Sequence, residues 1–181
     1  LAGWLVGGLL VWAILRFEKP ILVWLRGRQI AGQVIAVFAA SLSLILVGAL
    51  VRLALGAWTV PAGWVELAAR APGGEPIDPL SLTGLVSPAG SFFGMAWGGI
   101  MLYQRGWMDA RGSLWLRLAR FMIGLVGVFI IWYGLDKLFP DGNTIIPLFF
   151  RYLRYASVGL WVAYLAPLIF FRLNLATPKY Q

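Results

Sequence analysis

The 181-residue sequence contains no cysteine and no histidine, and only seven of its residues are acidic. Without cysteine the chain forms no disulfide and offers no thiolate for catalysis or metal binding. Without histidine it lacks the commonest general base and the commonest protein ligand for zinc and haem. Histidine-ligated cofactors are therefore excluded, and the sequence predicts neither a cofactor nor a metal site.

Ionisable residues are also missing from the middle of the long apolar runs. A charge at the centre of a bilayer costs about 2.5–3.5 kcal/mol on insertion scales, so it persists mainly where transport or proton transfer requires it. This absence disfavours a proton-coupled transporter or an ion pump. A transporter or channel subunit stays open as a third alternative, since a partner could supply the pathway. The sequence also lacks converging carboxylates, a Ser-His-Asp set and a glycine-rich phosphate loop, so no catalytic residue is predicted.

Apolar residues make up 61% of the sequence, which contains ten tryptophans. An apolar run of about 20 residues matches a hydrocarbon core of about 30 Å. We therefore predict an all-α fold, in which residues 1–181 form a single polytopic helical membrane domain with about five transmembrane helices. The predicted spans are about 1–17, 29–55, 88–104, 118–138 and 148–173.

The boundaries of these runs rest on proline and on polar segments. Pro20 is expected to end the first helix, and Pro88 after Ser87 is typical of a helix start with Ser87 as the N-cap. Pro167 predicts a kink in the last run. The polar segment 56–83 is expected to be a loop with a short surface helix at residues 64–70. Because the first apolar run starts at once, we expect the chain to be the carboxyl-terminal part of a longer protein.

Lysine and arginine are distributed unevenly between the two sides of the predicted bundle. Ten lie on the side of the loops that follow the first, third and fifth helices, and five lie on the other side. The positive-inside rule places the richer side in the cytoplasm. The expected localisation is therefore a membrane, most simply the bacterial cytoplasmic membrane, with the carboxyl terminus cytoplasmic and loop 56–83 non-cytoplasmic. The net charge of +8 is attributed to contact with anionic lipid headgroups rather than nucleic acid.

Gly90, Gly94 and Gly98 follow one another at intervals of four residues in the third run. Glycines with this spacing line one helix face and allow another backbone to approach closely. They are the candidate helix-packing residues. Packing within this domain is the favoured interpretation, and contact with a partner helix is the alternative.

Two arginine pairs are candidate contacts for lipid headgroups: Arg117 with Arg120, and Arg151 with Arg154. Residues three apart lie on one helix face, and arginine matches phosphate bidentately. Arg151 and Arg154 could hold a phosphate, although an ordinary interfacial belt with neighbouring tyrosines is the simpler interpretation. Asp136, at the end of the fourth run, is interpreted as an interface residue. Membrane lipids and other transmembrane helices or subunits are the expected partners.

Several strings of residues resemble a known family. They are Trp-Tyr-Gly-Leu-Asp-Lys-Leu-Phe-Pro at 132–140, Phe-Arg-Tyr-Leu-Arg-Tyr-Ala at 150–156, Val-Gly-Leu-Trp-Val at 158–162 and Ala-Pro at 166–167. Together they resemble the carboxyl-terminal transmembrane region of bacterial members of the type 2 phosphatidic acid phosphatase superfamily. The opening residues 1–8 are similar to the helix that follows the last catalytic motif of that family.

The resemblance implies integral membrane enzymes that hydrolyse lipid phosphates or diphosphates through a histidine nucleophile. The three motifs of the family, Lys-x6-Arg-Pro, Pro-Ser-Gly-His and Ser-Arg-x5-His-x3-Asp, do not occur in this sequence, so no catalytic residue is carried over. The leading hypothesis is a non-catalytic membrane module that is a structural or accessory part of a larger membrane protein or complex. The alternative is the carboxyl-terminal fragment of a lipid phosphatase whose active site lies upstream.

Overall fold

A computed structural model describes residues 2–56, 58–70, 80–140, 142 and 144–179, and these are mainly helical. The helices are α1 (Ala2–Arg26), α2 (Ile30–Leu55), α3 (Ala62–Arg70), α4 (Thr83–Gln104), α5 (Leu114–Leu138), α6 (Ile145–Leu160) and α7 (Ala166–Arg172). A π-helical turn, Trp161–Leu165, joins α6 to α7. The strands β1 (Trp107–Asp109) and β2 (Thr177–Lys179) form a short antiparallel ribbon.

Four helices in the described part of the chain are long and apolar enough to cross a membrane: α2, α4, α5 and the continuous helix that runs from Ile145 to Arg172. This confirms the prediction of a polytopic helical membrane domain. Helix α1 has 25 residues, comparable in length, but carries four charged residues, Arg16, Glu18, Lys19 and Arg26. Only 11% of the apolar window of α2 or α5 is buried within the chain, so most of their side chains face outward.

Helices α4 and α6 form the centre of the fold, and their contact is the most extensive between any two elements. Helix α2 packs on α4, while α5 packs on α6 and the π-helical turn. Helix α1 meets the other helices sparsely, and nearly all of its described side chains are exposed. Because glycine and alanine line the α4–α6 contact, the interior is made of close backbone contacts rather than large apolar side chains.

Two helix boundaries differ from those that proline predicted. Helix α1 continues through Pro20 to Arg26, and because Pro20 has no N–H the helix gives up one backbone bond there. Helix α4 begins at Thr83, so Ser87 is not an N-cap; its hydroxyl donates to the Thr83 carbonyl oxygen at 3.3 Å. Pro88 therefore lies in the second turn of α4, where its missing N–H removes one helical bond.

The irregularity near Pro167 is a π-helical turn rather than a simple kink. The N–H of Ala166 donates to the carbonyl oxygen of Trp161, five residues earlier. A proline cannot donate to the residue four positions earlier, and its ring crowds that carbonyl. The wider π turn on the amino-terminal side of Pro167 provides room for the ring while the helix continues to Arg172.

The sequence prediction did not include strands. After α7 the chain turns back at Asn174, which has a positive φ of 55°, and Leu175 donates to the Phe170 carbonyl oxygen at 2.8 Å. Residues 177–179 then pair with residues 107–109 in the loop after α4. The ribbon thus joins the carboxyl-terminal tail to the α4–α5 loop at one end of the bundle. Residues 57 and 71–79 of the predicted loop 56–83 lie outside the described residues, and α3 covers the segment predicted as a short helix.

Candidate functional site

The three glycines of α4 lie on the face that packs against α6 and the π-helical turn. A Cβ atom built on Gly90 would lie 2.5 Å from the carbonyl oxygen of Tyr152. On Gly94 it would lie 2.9 Å from the Cα of Ala156 and closer still to its carbonyl oxygen. On Gly98 it would lie 2.8 Å from the side chain of Ala163. The stripe therefore packs within this chain, and its first two glycines meet backbone.

Helix α6 contributes a reciprocal glycine to the same contact. A Cβ atom on Gly159 would lie 2.6 Å from the carbonyl oxygen of Ser91 and 2.7 Å from the backbone nitrogen of Met95. Both helices therefore lack a side chain where they cross. This allows backbone atoms to meet directly, as in small-residue contacts between membrane helices.

A hydroxyl network links α2, α4 and α6 beside this contact. The hydroxyl of Ser41, which is fully buried, donates to the carbonyl oxygen of Ala89 at 2.7 Å. The Tyr152 hydroxyl lies 2.9 Å from the same Ser41 oxygen. Since Ser41 uses its one proton for Ala89, Tyr152 is the donor in the second bond. The network fixes α2 against the central pair of helices.

Arg154 and Asp136 form an ion pair between α6 and the end of α5. The Arg154 side chain is 8% exposed and donates through Nη1 to Asp136 Oδ1, whereas the Asp136 side chain is 51% exposed. The Nε of Arg154 is buried and has no hydrogen-bond partner among the described residues. The structure thus gives Arg154 a carboxylate partner that sequence reasoning had treated as an isolated interface residue. Headgroup contact stays a prediction for Arg154.

A cleft lies next to this ion pair, where the chain passes from α5 to α6. Its lining residues are Phe139, Pro140, Gly142, Pro147, Arg151 and Arg154, and it encloses about 240 Å³ including its open mouth. Arg151 is half-buried, and no ion pair joins it to any residue that the structure describes. The cleft therefore combines two guanidinium groups with one paired carboxylate.

Arg120 lies at the opposite end of the bundle and binds the α4–α5 loop. It is 7% exposed, and its guanidinium donates to carbonyl oxygens of the loop, including that of Ala110 at 2.7 Å and that of Arg111 at 3.3 Å. Further bonds reach the carbonyl oxygens of Asp109 and Leu116. Its observed partners are thus protein carbonyls, in contrast to the predicted headgroup contact, whereas Arg117 is exposed. Headgroup contact stays a prediction for Arg117.

Trp161 connects the π-helical turn to α5. Its indole Nε1 donates to the Gly124 carbonyl oxygen at 3.0 Å. The ring lies against Gly127, where a Cβ atom would overlap it. Gly124 and Gly127, one turn apart on α5, therefore form a seat for the indole. The search for glycines at intervals of four residues did not detect them, because they are three residues apart.

These side chains mainly bind and position other parts of the chain. Among residues 2–56, 58–70, 80–140, 142 and 144–179, no three His, Cys, Asp or Glu residues come together as a potential metal site. The fold and these contacts define a polytopic helical membrane domain held together by glycine contacts and by polar bonds to backbone.

A family model, the transmembrane extension of the PAP2 superfamily phosphatases, matches residues 86–178, about half of the chain. The chain belongs to this family, which confirms the resemblance to the membrane region of a type 2 phosphatidic acid phosphatase. The matched segment runs from the buried part of α4 to β2 and includes the α4–α6 contact, the Trp161 seat and the ribbon. No curated protein and no solved structure matches the chain.

Sequence reasoning identified some of these residues and missed others. The spacing of Gly90, Gly94 and Gly98 singled out residues that the structure brings together on one contact. Ser41 and Asp136 were noticed, but not as partners of Tyr152 and Arg154, since no local pattern links residues so far apart in the sequence. The predicted positions of about residues 118 and 148 for the starts of the last two spans are close to α5 and α6, which begin at 114 and 145.

Proposed function

We propose that this chain is a non-catalytic structural module of a membrane phosphatase, whose catalytic part is encoded upstream of Leu1. Its helices would support that part in the bilayer and contact lipids and other transmembrane helices. The observation that carries the proposal is the match to the transmembrane extension of the PAP2 superfamily phosphatases over residues 86–178. This segment contains the central contact of the fold, between α4 and α6, together with α5, α7 and the ribbon.

The contacts of this segment support a structural role. Within it, side-chain bonds from Arg120, Arg154 and Trp161 reach other parts of the chain and fix the helices relative to one another. Ser41 of α2 bonds to the segment at Ala89. By contrast, α1 and the outer faces of α2 and α5 expose large apolar side chains. Those faces are suited to lipid or to helices of the catalytic part.

A phosphate-release assay tests the proposal directly. The purified chain in a phosphate-free detergent is expected to release no phosphate from phosphatidic acid above the buffer blank. The longer protein encoded by the same gene should release it, and its upstream sequence should contain the three catalytic motifs. Turnover by the chain alone, or an upstream sequence without these motifs, would refute the proposal.

The proposed orientation puts the ribbon end in the cytoplasm and the α5–α6 turn on the outer side. Because the chain has no native cysteine, single substitutions report accessibility cleanly. We expect Thr144→Cys to react with a membrane-impermeant maleimide in intact cells, and Ser113→Cys to react only after permeabilisation. The reverse pattern would invert the orientation without affecting the structural role.

A further inference from the structure

We propose that the cleft between the end of α5 and the start of α6 binds a phosphate group through Arg151 and Arg154. This inference concerns residues of this chain alone and does not depend on the proposed structural role. Among the described residues, Phe139, Pro140 and Gly142 supply one wall of the cleft, and α6 supplies the other.

The two guanidinium groups of the cleft differ in their pairing among the described residues. Arg154 forms an ion pair with Asp136, whereas no ion pair joins Arg151 to a described carboxylate. An anion in the cleft would neutralise the charge of Arg151 without displacing Asp136.

The unpartnered Nε of Arg154 is the second, independent observation. A buried donor without a partner costs free energy, and it is seldom left unsatisfied in a folded protein. Arg154 is only 7% exposed, so bulk water does not satisfy this donor freely. An acceptor oxygen entering the cleft would supply the missing partner.

The shape of the cleft favours a small oxyanion over a larger ligand. Its floor has room for about one water-sized group, which is the size of a single oxygen. One phosphate oxygen at the floor would meet Arg154, while the remaining oxygens would face Arg151 at the mouth. Arginine presents planar paired donors that match phosphate, which favours phosphate over a spherical anion.

The position of the cleft in the bundle fits the same ligand. It lies where α5 ends and the helix Ile145–Arg172 begins, and both helices are long and apolar enough to cross a membrane. With these helices spanning a bilayer, the cleft would lie near the phospholipid phosphates. It also borders the amino-terminal end of α6, whose N-cap residue Thr144 makes no capping hydrogen bond through its side chain. The partial positive charge of that helix end adds to the attraction for an anion.

Binding to three probes tests the proposal. The purified full chain, in a maltoside detergent that contains no phosphate, is titrated with dioctanoyl phosphatidic acid, dioctanoylglycerol and inorganic phosphate, and binding is measured by isothermal titration calorimetry. We expect phosphatidic acid to bind and dioctanoylglycerol to bind at least about tenfold more weakly, since it lacks the charged acceptor. Equal affinity for inorganic phosphate would identify free phosphate as a source, and much weaker affinity would identify the lipid headgroup.

Matched arginine variants locate the site. Arg151→Gln removes one guanidinium without touching the Arg154–Asp136 ion pair, and it is expected to weaken phosphatidic acid binding about tenfold or more. Arg111→Gln makes the same charge change at an exposed position in the α4–α5 loop, at the opposite end of the bundle, and should leave affinity unchanged. Arg154→Lys retains the charge but loses Nε, and it should also weaken phosphatidic acid binding. A thermal unfolding temperature close to that of the wild type would show that this loss of affinity is local to the cleft.

Two results would overturn the proposal. The first is the absence of binding by both phosphate-containing probes. The second is an equal small loss for Arg151→Gln and Arg111→Gln, which would mean general attraction to a basic protein rather than a site.

Discussion

Adding one methyl group to Gly94 is expected to force α4 and α6 apart. A Cβ atom there would lie 2.7 Å from the carbonyl carbon and 2.9 Å from the Cα of Ala156. Ordinary van der Waals contact begins at 3.4 Å, so the carbonyl carbon would have to recede by about 0.7 Å. The obstructing atoms are backbone in the middle of α6 and cannot move by changing a rotamer.

The expected loss of stability follows from two opposing effects. Overpacking of a close contact costs about 1–3 kcal/mol. Replacing glycine by alanine within a helix gains up to about 1 kcal/mol in helix propensity. The matched control is Gly99→Ala, five residues further along the same helix, because a Cβ atom there meets nothing within 4 Å. The difference between the two variants isolates the cost of the contact at about 1–3 kcal/mol.

The measurement is reversible unfolding of the chain by dodecyl sulfate in mixed micelles, followed by the fluorescence of its ten tryptophans. Gly94→Ala should unfold at a lower dodecyl sulfate fraction than Gly99→Ala, and Gly94→Leu should fail to assemble α4 with α6. Equal midpoints for the two alanine variants would refute the close contact at Gly94. Unchanged assembly of Gly94→Leu would refute it as well.

Three further predictions use the same unfolding assay. Asp136→Ala leaves the buried guanidinium of Arg154 without its carboxylate and should lower stability by about 1–3 kcal/mol, and an unchanged midpoint would contradict the ion pair. Arg120→Lys retains a positive charge but cannot reach the same set of loop carbonyls. We expect it to lower the free energy of unfolding by about 1–3 kcal/mol and to speed proteolysis of the α4–α5 loop. Cleavage at the wild-type rate would count against the binding of the loop by Arg120. Trp161→Phe retains an aromatic ring but loses the bond to the Gly124 carbonyl oxygen, so it should cost about 1 kcal/mol, and a stable variant would show that packing alone seats the ring.

The apolar composition was sufficient to predict the fold class, because the length of a membrane helix is set by the bilayer and is visible in a single run of sequence. The glycine spacing in α4 was equally local. Residues that act across the bundle were not predictable in the same way. Asp136 and Arg154 are separated by a turn and lie on different helices, so their pairing depends on how α5 and α6 rotate against each other. Ser41 and Tyr152 are 111 residues apart.

Proline was a less reliable guide than glycine in this sequence. Pro20 and Pro88 were expected to mark helix ends, as they do in water-soluble proteins. At Pro88, within the apolar run of α4, a broken helix would leave backbone groups without partners, so the helix continues and gives up only one bond. At Pro20, which follows the charged residues Glu18 and Lys19, the helix also continues. At Pro167 the local response is a wider turn, which a rule based on helix breaking does not anticipate.

The ribbon between β1 and β2 has a consequence for the order in which the domain is completed. The first strand leaves the ribosome before α5, and the second only after α7, so β1 waits unpaired while two membrane-length segments are synthesised. The strands can meet only when both segments have crossed the bilayer and the tail has returned to the starting side. Ribbon closure therefore follows the insertion of both segments, and a chain in which the helix Ile145–Arg172 is misinserted would leave both strands open to quality-control proteases.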